Sequence, residues 1–178
     1  EFVKGGAPDT VNPSLWRQAT LNNNHGLYKV TDGVYQLRGF DLANISLIQG
    51  KTGWILVDPL TTAPTARNAL AFAREKLGPQ KISAIIFTHS HIDHSSGLRG
   101  FVAEGSTILT HQSNKAYLEK ILSQPHTLNP DKAQLAGKKP SVEGVSGTRV
   151  LTDGSRVVEL HHMQNFGQIR RIAGLVGL

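Results

Sequence analysis

The sequence predicts a layered α/β fold, and three observations carry that expectation. Short β-rich runs separated by turns fill 34–57, an amphipathic helical pattern follows from Thr62, and 82–87 form a continuous apolar run. Such a run, rich in β-branched residues, suits a strand covered on both faces. An antiparallel start that passes into strand and helix alternation argues for α/β layers over an all-β sandwich.

Residues 1–32 read as an extended lead-in, because Glu1 to Pro13 are rich in Gly, Pro and Asp and show no apolar period. The folded domain is expected over 33–162. Within it, 34–37 and 45–48 are strand-like, and the turn at Gly50 to Gly53 leads into a third strand at 54–57, making an antiparallel meander. Thr62 is placed to cap a helix with Pro64 in its first turn; Ala66, Leu70, Ala73 and Leu77 give it one apolar face, and Gly78-Pro79 stops it. After the buried strand at 82–87, a further strand is expected at 106–110 and a helix at 114–122, where Ala116, Leu118 and Leu122 are apolar. The stretch 124–147 is rich in Pro, Gly, Lys and Asn and reads as a long loop. A last hairpin, 149–151 with 156–160, turns at Asp153-Gly154 and leads to His161 and His162, after which 163–178 form an atypical tail.

A chain of 178 residues suits one domain with its own core rather than two. The absence of cysteine excludes disulfides, thiolate zinc sites and cysteine nucleophiles, so histidines and carboxylates are the strong metal ligands available. No apolar run is long enough to cross a bilayer, and no signal-like segment follows Glu1. The net charge of +6 raises nucleic acid as a partner. The basic residues are dispersed, however, adjacent only at Lys138-Lys139 and Arg170-Arg171, and form no stripe interleaved with aromatics. Nucleic-acid binding is therefore set aside, and a small anionic substrate suits the same charge.

Chemistry concentrates in Thr88-His89-Ser90-His91-Ile92-Asp93-His94, directly after the buried run. At the end of an extended segment His89 and His91 point to one side and can grip one metal, while a turn towards a helix brings Asp93 and His94 to an adjacent point. Imidazole with carboxylate suits zinc, one ion or two, and a water held there is acidified to a nucleophile that Asp93 can orient. A single loop histidine is ordinarily solvated or capping; three histidines and an aspartate in six positions after a strand are not. His111 can line the site or cap the helix that follows it, the cap being the ordinary role of a lone histidine, and His25 and His126 read as surface or packing residues.

His-x-His-x-Asp-His after an apolar strand resembles the hallmark of the metallo-β-lactamase superfamily. Over about residues 8–98 the chain resembles its zinc-dependent alkyl sulfatases, through Asn12-Pro13-Ser14-Leu15-Trp16-Arg17-Gln18, His25-Gly26-Leu27, Asp41-Leu42-Ala43-Asn44 and Asp58-Pro59-Leu60-Thr61-Thr62. The resemblance implies an αββα sandwich of which the N-terminal half is present. It also implies His89, His91, Asp93 and His94 as metal ligands, Asp93 as the catalytic carboxylate, and Asp58 as a buttress of the metal loop. For Asp58 the alternative is an ordinary strand-end aspartate before a proline. His162 is the candidate for a later ligand, although 163–168 carry no Gly-His and no acidic residue follows Glu159 to bridge metals. The implied activity is hydrolysis of a sulfate or related ester, with a bacterial periplasmic or secreted location; the rival is a non-catalytic fragment that binds metal weakly. Because half a sandwich leaves one sheet face apolar, a homodimer is expected to cover it.

Overall fold

The computed structural model describes residues 3–163 and the strand Ala173–Leu175. Its centre is a seven-stranded sheet in the order β1 to β7: β1 Gly26–Thr31, β2 Val34–Arg38, β3 Ile45–Gln49, β4 Trp54–Val57, β5 Ile82–Ile86, β6 Thr107–His111 and β7 Ser141–Val145. Strands β1 to β4 pair antiparallel, and β4 to β7 pair parallel. The parallel half therefore delivers the C-terminal ends of β4, β5 and β6 to one edge, the place where open α/β sheets bind ligands.

One face of this sheet is covered by helices. In α2, Ala63–Leu77, the Thr62 side chain accepts from the Thr65 amide at 3.2 Å, and Gly78, at φ 86°, closes the end on the Arg74 carbonyl. Its buried stripe is Ala66, Ala69, Leu70 and Ala73, mostly small residues that let the helix lie close on Trp54, Leu56, Ile82 and Ile85. Helix α5, Gln112–Leu122, adds Leu118 and Leu122 to the same core. Between them the chain after β5 forms two short helices, α3 Ile92–Ser95 and α4 Arg99–Val102, joined by the 3-10 turn Ser96–Leu98.

The opposite face is not bare. A three-stranded sheet, in the order β10-β9-β8, packs on it, with β8 Thr148–Thr152, β9 Val157–His162 and β10 Ala173–Leu175. Val158 and Leu160 of β9 form a second core with Ile48, Ile86, Leu109 and Val145. The expectation of a wholly uncovered face is corrected: alternation along β9 aims two apolar residues inward, and the hairpin tip is tied down. Arg156 donates to the carbonyls of Gln49 and Asp32, and the Thr52 amide donates to the Asp153 carboxylate at 2.8 Å.

Two further expectations are corrected. The lead-in 1–32 holds α1, Pro13–Asn22, capped by the Asn12 side chain, and the edge strand β1. The loop 124–147 contains α6, Lys132–Leu135, and β7, which extends the parallel sheet. Of the expected tail, 164–172 and 176–178 lie outside the described residues. Among the described residues no helix is long and apolar enough to cross a membrane.

Candidate metal centre

The ends of β4 and β5 build the site. Asp58 follows β4 and Thr88-His89 follow β5, and the two segments are stitched by the Asp58 amide on the Ile86 carbonyl at 3.0 Å. Asp58 is 7% exposed and sits at φ +53°, with Leu60 at φ +65° two residues on. Non-glycine residues in this region cost of order 1–3 kcal/mol each and persist where surrounding contacts dictate them. Here those contacts are plain. The Asp58 carboxylate accepts from the Thr88 amide at 2.9 Å, the Thr88 hydroxyl at 2.6 Å and the His94 Nδ1 at 2.8 Å.

These bonds fix the imidazoles. A carboxylate accepts, so His94 carries a proton on Nδ1, which leaves Nε2 on the side of Asp93. The Thr88 hydroxyl gives its single proton to Asp58, so its contact with His89 Nδ1 at 2.9 Å requires His89 to donate there. His89 thus also presents Nε2, which lies 3.1 Å from Nδ1 of His91. Two nitrogens sharing one tetrahedral zinc at about 2.0–2.1 Å would stand about 3.3 Å apart, so this separation fits the ion. The His89 ring is 4.6 Å from that of His91 and 4.2 Å from that of His94, centre to centre. Asp93 Oδ2 lies 3.4 Å from His94 Nε2.

The structure therefore brings His89, His91, Asp93 and His94 together, around an Asp58 that touches two of their supports. Ligand atoms of Asp58, His89 and His94 all lie within 4.8 Å of one another. Burial holds the His89 imidazole below its usual pKa of 6.5, with the His94 charge adding to the effect, which favours the neutral ligand form. The hydrogen bond to Asp58 pushes His94 the other way, above 6.5. Orientation by a carboxylate–histidine pair of this kind is how metal sites set ring tautomer and basicity.

His162 packs against His111, with ring centres 4.0 Å apart and the planes tilted by 42°. His111 accepts at Nδ1 from the Ser113 amide and so caps α5, as its position before the helix suggests. His25 packs on Phe40 and Phe72, and His126 lies 3.8 Å from Asp131. Sequence reasoning missed Thr88, the link between Asp58 and His89. A hydroxyl residue between a buried strand and the first ligand was the only signal. It also missed Gly97, where a Cβ would lie 1.8 Å from the Pro59 carbonyl oxygen, so that only glycine lets the metal loop close on 58–60.

Comparison with known proteins places this geometry. The metallo-beta-lactamase superfamily profile matches residues 38–162. The chain belongs to this superfamily. Within it, the chain is 49% identical over 105 residues to a linear primary-alkylsulfatase of Pseudomonas sp., a match covering 58% of this chain and 16% of that protein. It is 48% identical over 104 residues to an alkyl/aryl-sulfatase of Saccharomyces cerevisiae, covering 58% and 16%. A solved structure of a stereoselective inverting sec-alkylsulfatase from Pseudomonas sp. superposes with a TM-score of 0.73 at 31% identity, over 98% of this chain and 33% of that one. The metallo-β-lactamase SMB-1, at 20% identity and TM-score 0.62, shares the fold. The chain thus spans a third of the length of the alkylsulfatase structure it matches.

Proposed function

We propose that this superfamily domain is a zinc-dependent hydrolase that cleaves sulfate or related esters with metal-activated water. The observation that carries the reading is the cluster at the C-terminal edge of the sheet, where ligand atoms of Asp58, His89 and His94 lie within 4.8 Å of one another, His91 meets His89 and Asp93 meets His94. When bound, zinc supplies Lewis acidity and a water acidified towards neutrality. The chain supplies the rest. His89 and His91, whose nitrogens face each other, and His94 Nε2 would hold the ion, and the partly exposed Asp93 would orient the water. Asp58 holds the loop and, as a buttress, keeps both rings in their ligand tautomers.

The organic part of the ester has a place beside the loop. A cleft of about 420 Å³ is lined by Ser90, Ile92 and Ser95 of the metal segment and by Tyr117, Leu118 and Ile121 of α5. Its apolar wall suits a hydrocarbon group, and the net charge of +6 favours arrival of an anionic ester. The alkylsulfatase relatives, 48–51% identical over 98 to 105 residues, support this substrate class.

The rival reading is a non-catalytic domain that binds metal weakly. Hydrolysis of an alkyl sulfate, aryl sulfate and phosphate ester panel, before and after chelation and zinc return, separates the two. Turnover that falls with chelator, returns with zinc and is lost in His91→Ala supports the hydrolase; zinc uptake without turnover supports the rival. A homodimer is the finer partner proposal, since among the described residues β8 is an edge of the three-stranded sheet, and an edge strand is a ready template for pairing with another copy.

A further inference from the structure

A second cleft opens at the other end of the sheet. Its walls come from the start of β4 and β5, where Gly53, Ile55, Ser83 and Ala84 lie, whereas the metal segment follows the ends of those strands. The cleft measures about 370 Å³, in the range of small-molecule sites, and lies between the two sheets. Ile48, Ile55 and Ala84 form its floor, and Leu151 and Val158 of the hairpin its roof.

The charged groups around it decide what it takes. Arg149 is paired with Glu143 at 2.5 Å. Asp153 accepts from the amide and hydroxyl of Thr52 and from the amide and hydroxyl of Ser155, which fills its acceptor positions and keeps it ionised far below the usual carboxylate range. Arg156 is different. Its Nε and Nη2 donate to the backbone carbonyls of Gln49 and Asp32. The Asp32 carboxylate, which pairs with Lys29, attracts the guanidinium only at longer range, and among the described residues Nη1 has no acceptor. An apolar slot ending at a guanidinium with a free donor is complementary to a hydrocarbon chain ending in an anion.

We propose that the intersheet cleft is a binding site for a small anionic amphiphile, such as a medium-chain carboxylate, with the chain between Ile55, Ala84 and Val158 and the anion on Arg156. The site is independent of the metal centre and of the reading given to it. Isothermal titration of the whole chain in chelator, with hexanoate, heptanoate and octanoate below their micelle concentrations, tests it. Affinity rises about fourfold per methylene, the equivalent of burying one CH2. Arg156→Gln weakens octanoate about tenfold and leaves octanol unchanged, as loss of one charge-assisted bond requires. Ala84→Phe fills the floor and abolishes binding of both, and because it touches no hairpin-tip bond it serves where Arg156→Gln loosens the tip, which circular dichroism reports. His91→Ala leaves octanoate binding unchanged. No heat of binding, an affinity flat in chain length, or loss of binding in His91→Ala overturns the proposal. So does a dimer whose dissociation is needed before octanoate binds, because the cleft would then be an interface between copies.

Discussion

Replacing Asp58 by Asn tests whether the buried carboxylate orients the metal loop. Asn is isosteric and tolerates the positive φ of 53°, so the backbone term is nearly unchanged. Its oxygen can keep the Thr88 amide, but the new NH2 meets the Thr88 hydroxyl and His94 Nδ1, both of which donated to the carboxylate at 2.6 and 2.8 Å. Each bond to a charged group is worth about 1.5–3 kcal/mol, and both donors can respond by rotating or by moving a proton. The net loss of stability is therefore about 2 kcal/mol, read as a lower urea midpoint with unchanged slope. The proton shift matters more. With Nδ1 of His94 now accepting, its proton moves to Nε2 and blocks the ligand position, so zinc affinity falls about 10–100-fold by calorimetry. Because Asp58 raises the His94 pKa, its contribution to apoprotein stability is fully present below 6.5 and is lost as pH rises through the raised value. The variant is accordingly more destabilised near pH 6 than near pH 8. Wild-type zinc affinity in Asp58→Asn would show that the carboxylate does not set the tautomers.

Other perturbations reach the parts around the site. Gly97→Ala forces the Pro59 carbonyl away from a Cβ 1.8 Å distant and is expected to destabilise the chain by about 2–3 kcal/mol in thermal melts; an unchanged midpoint would mean the loop closure is dispensable. The Arg99 guanidinium holds the Asp131 carboxyl below its ordinary 3.8, so that pair stabilises the fold above pH 3.8 and is lost as pH falls further. Asp131→Asn should therefore cost stability at neutral pH and nothing at the acid end, and a cost that persists in acid would assign the effect to packing. Light scattering is expected to show a dimer, and a monomer at all concentrations would remove the edge-strand proposal.

The sequence made the site legible because its information is local. The ligands lie within six positions after an apolar run, and strand geometry alone puts His89 and His91 on one side. Helix α2 was equally open, since Thr62, Pro64 and Gly78 mark both ends and its apolar stripe is regular. The missed elements lack such marks for physical reasons. Helix α1 buries none of its residues, so no apolar period betrays it, although Asn12-Pro13 is a capping signal. Strand β1 is an edge with mostly exposed residues, and β7, Ser141–Val145, contains Ser, Glu and Gly and is a strand only because β6 offers it a parallel partner. Cover for the second sheet face was hidden for a similar reason. It depends on bonds from Asp153 and Arg156 to residues about 100 positions away.

The central claim is that His89, His91, Asp93 and His94 hold a metal ion. A metal-edge anomalous difference map from zinc-loaded crystals tests it most directly. A peak is expected among these four side chains, with metal–nitrogen distances of about 2.0–2.1 Å to His89 and His91. A map in saturating zinc with no peak there, or with the four side chains splayed around ordered water, would contradict it.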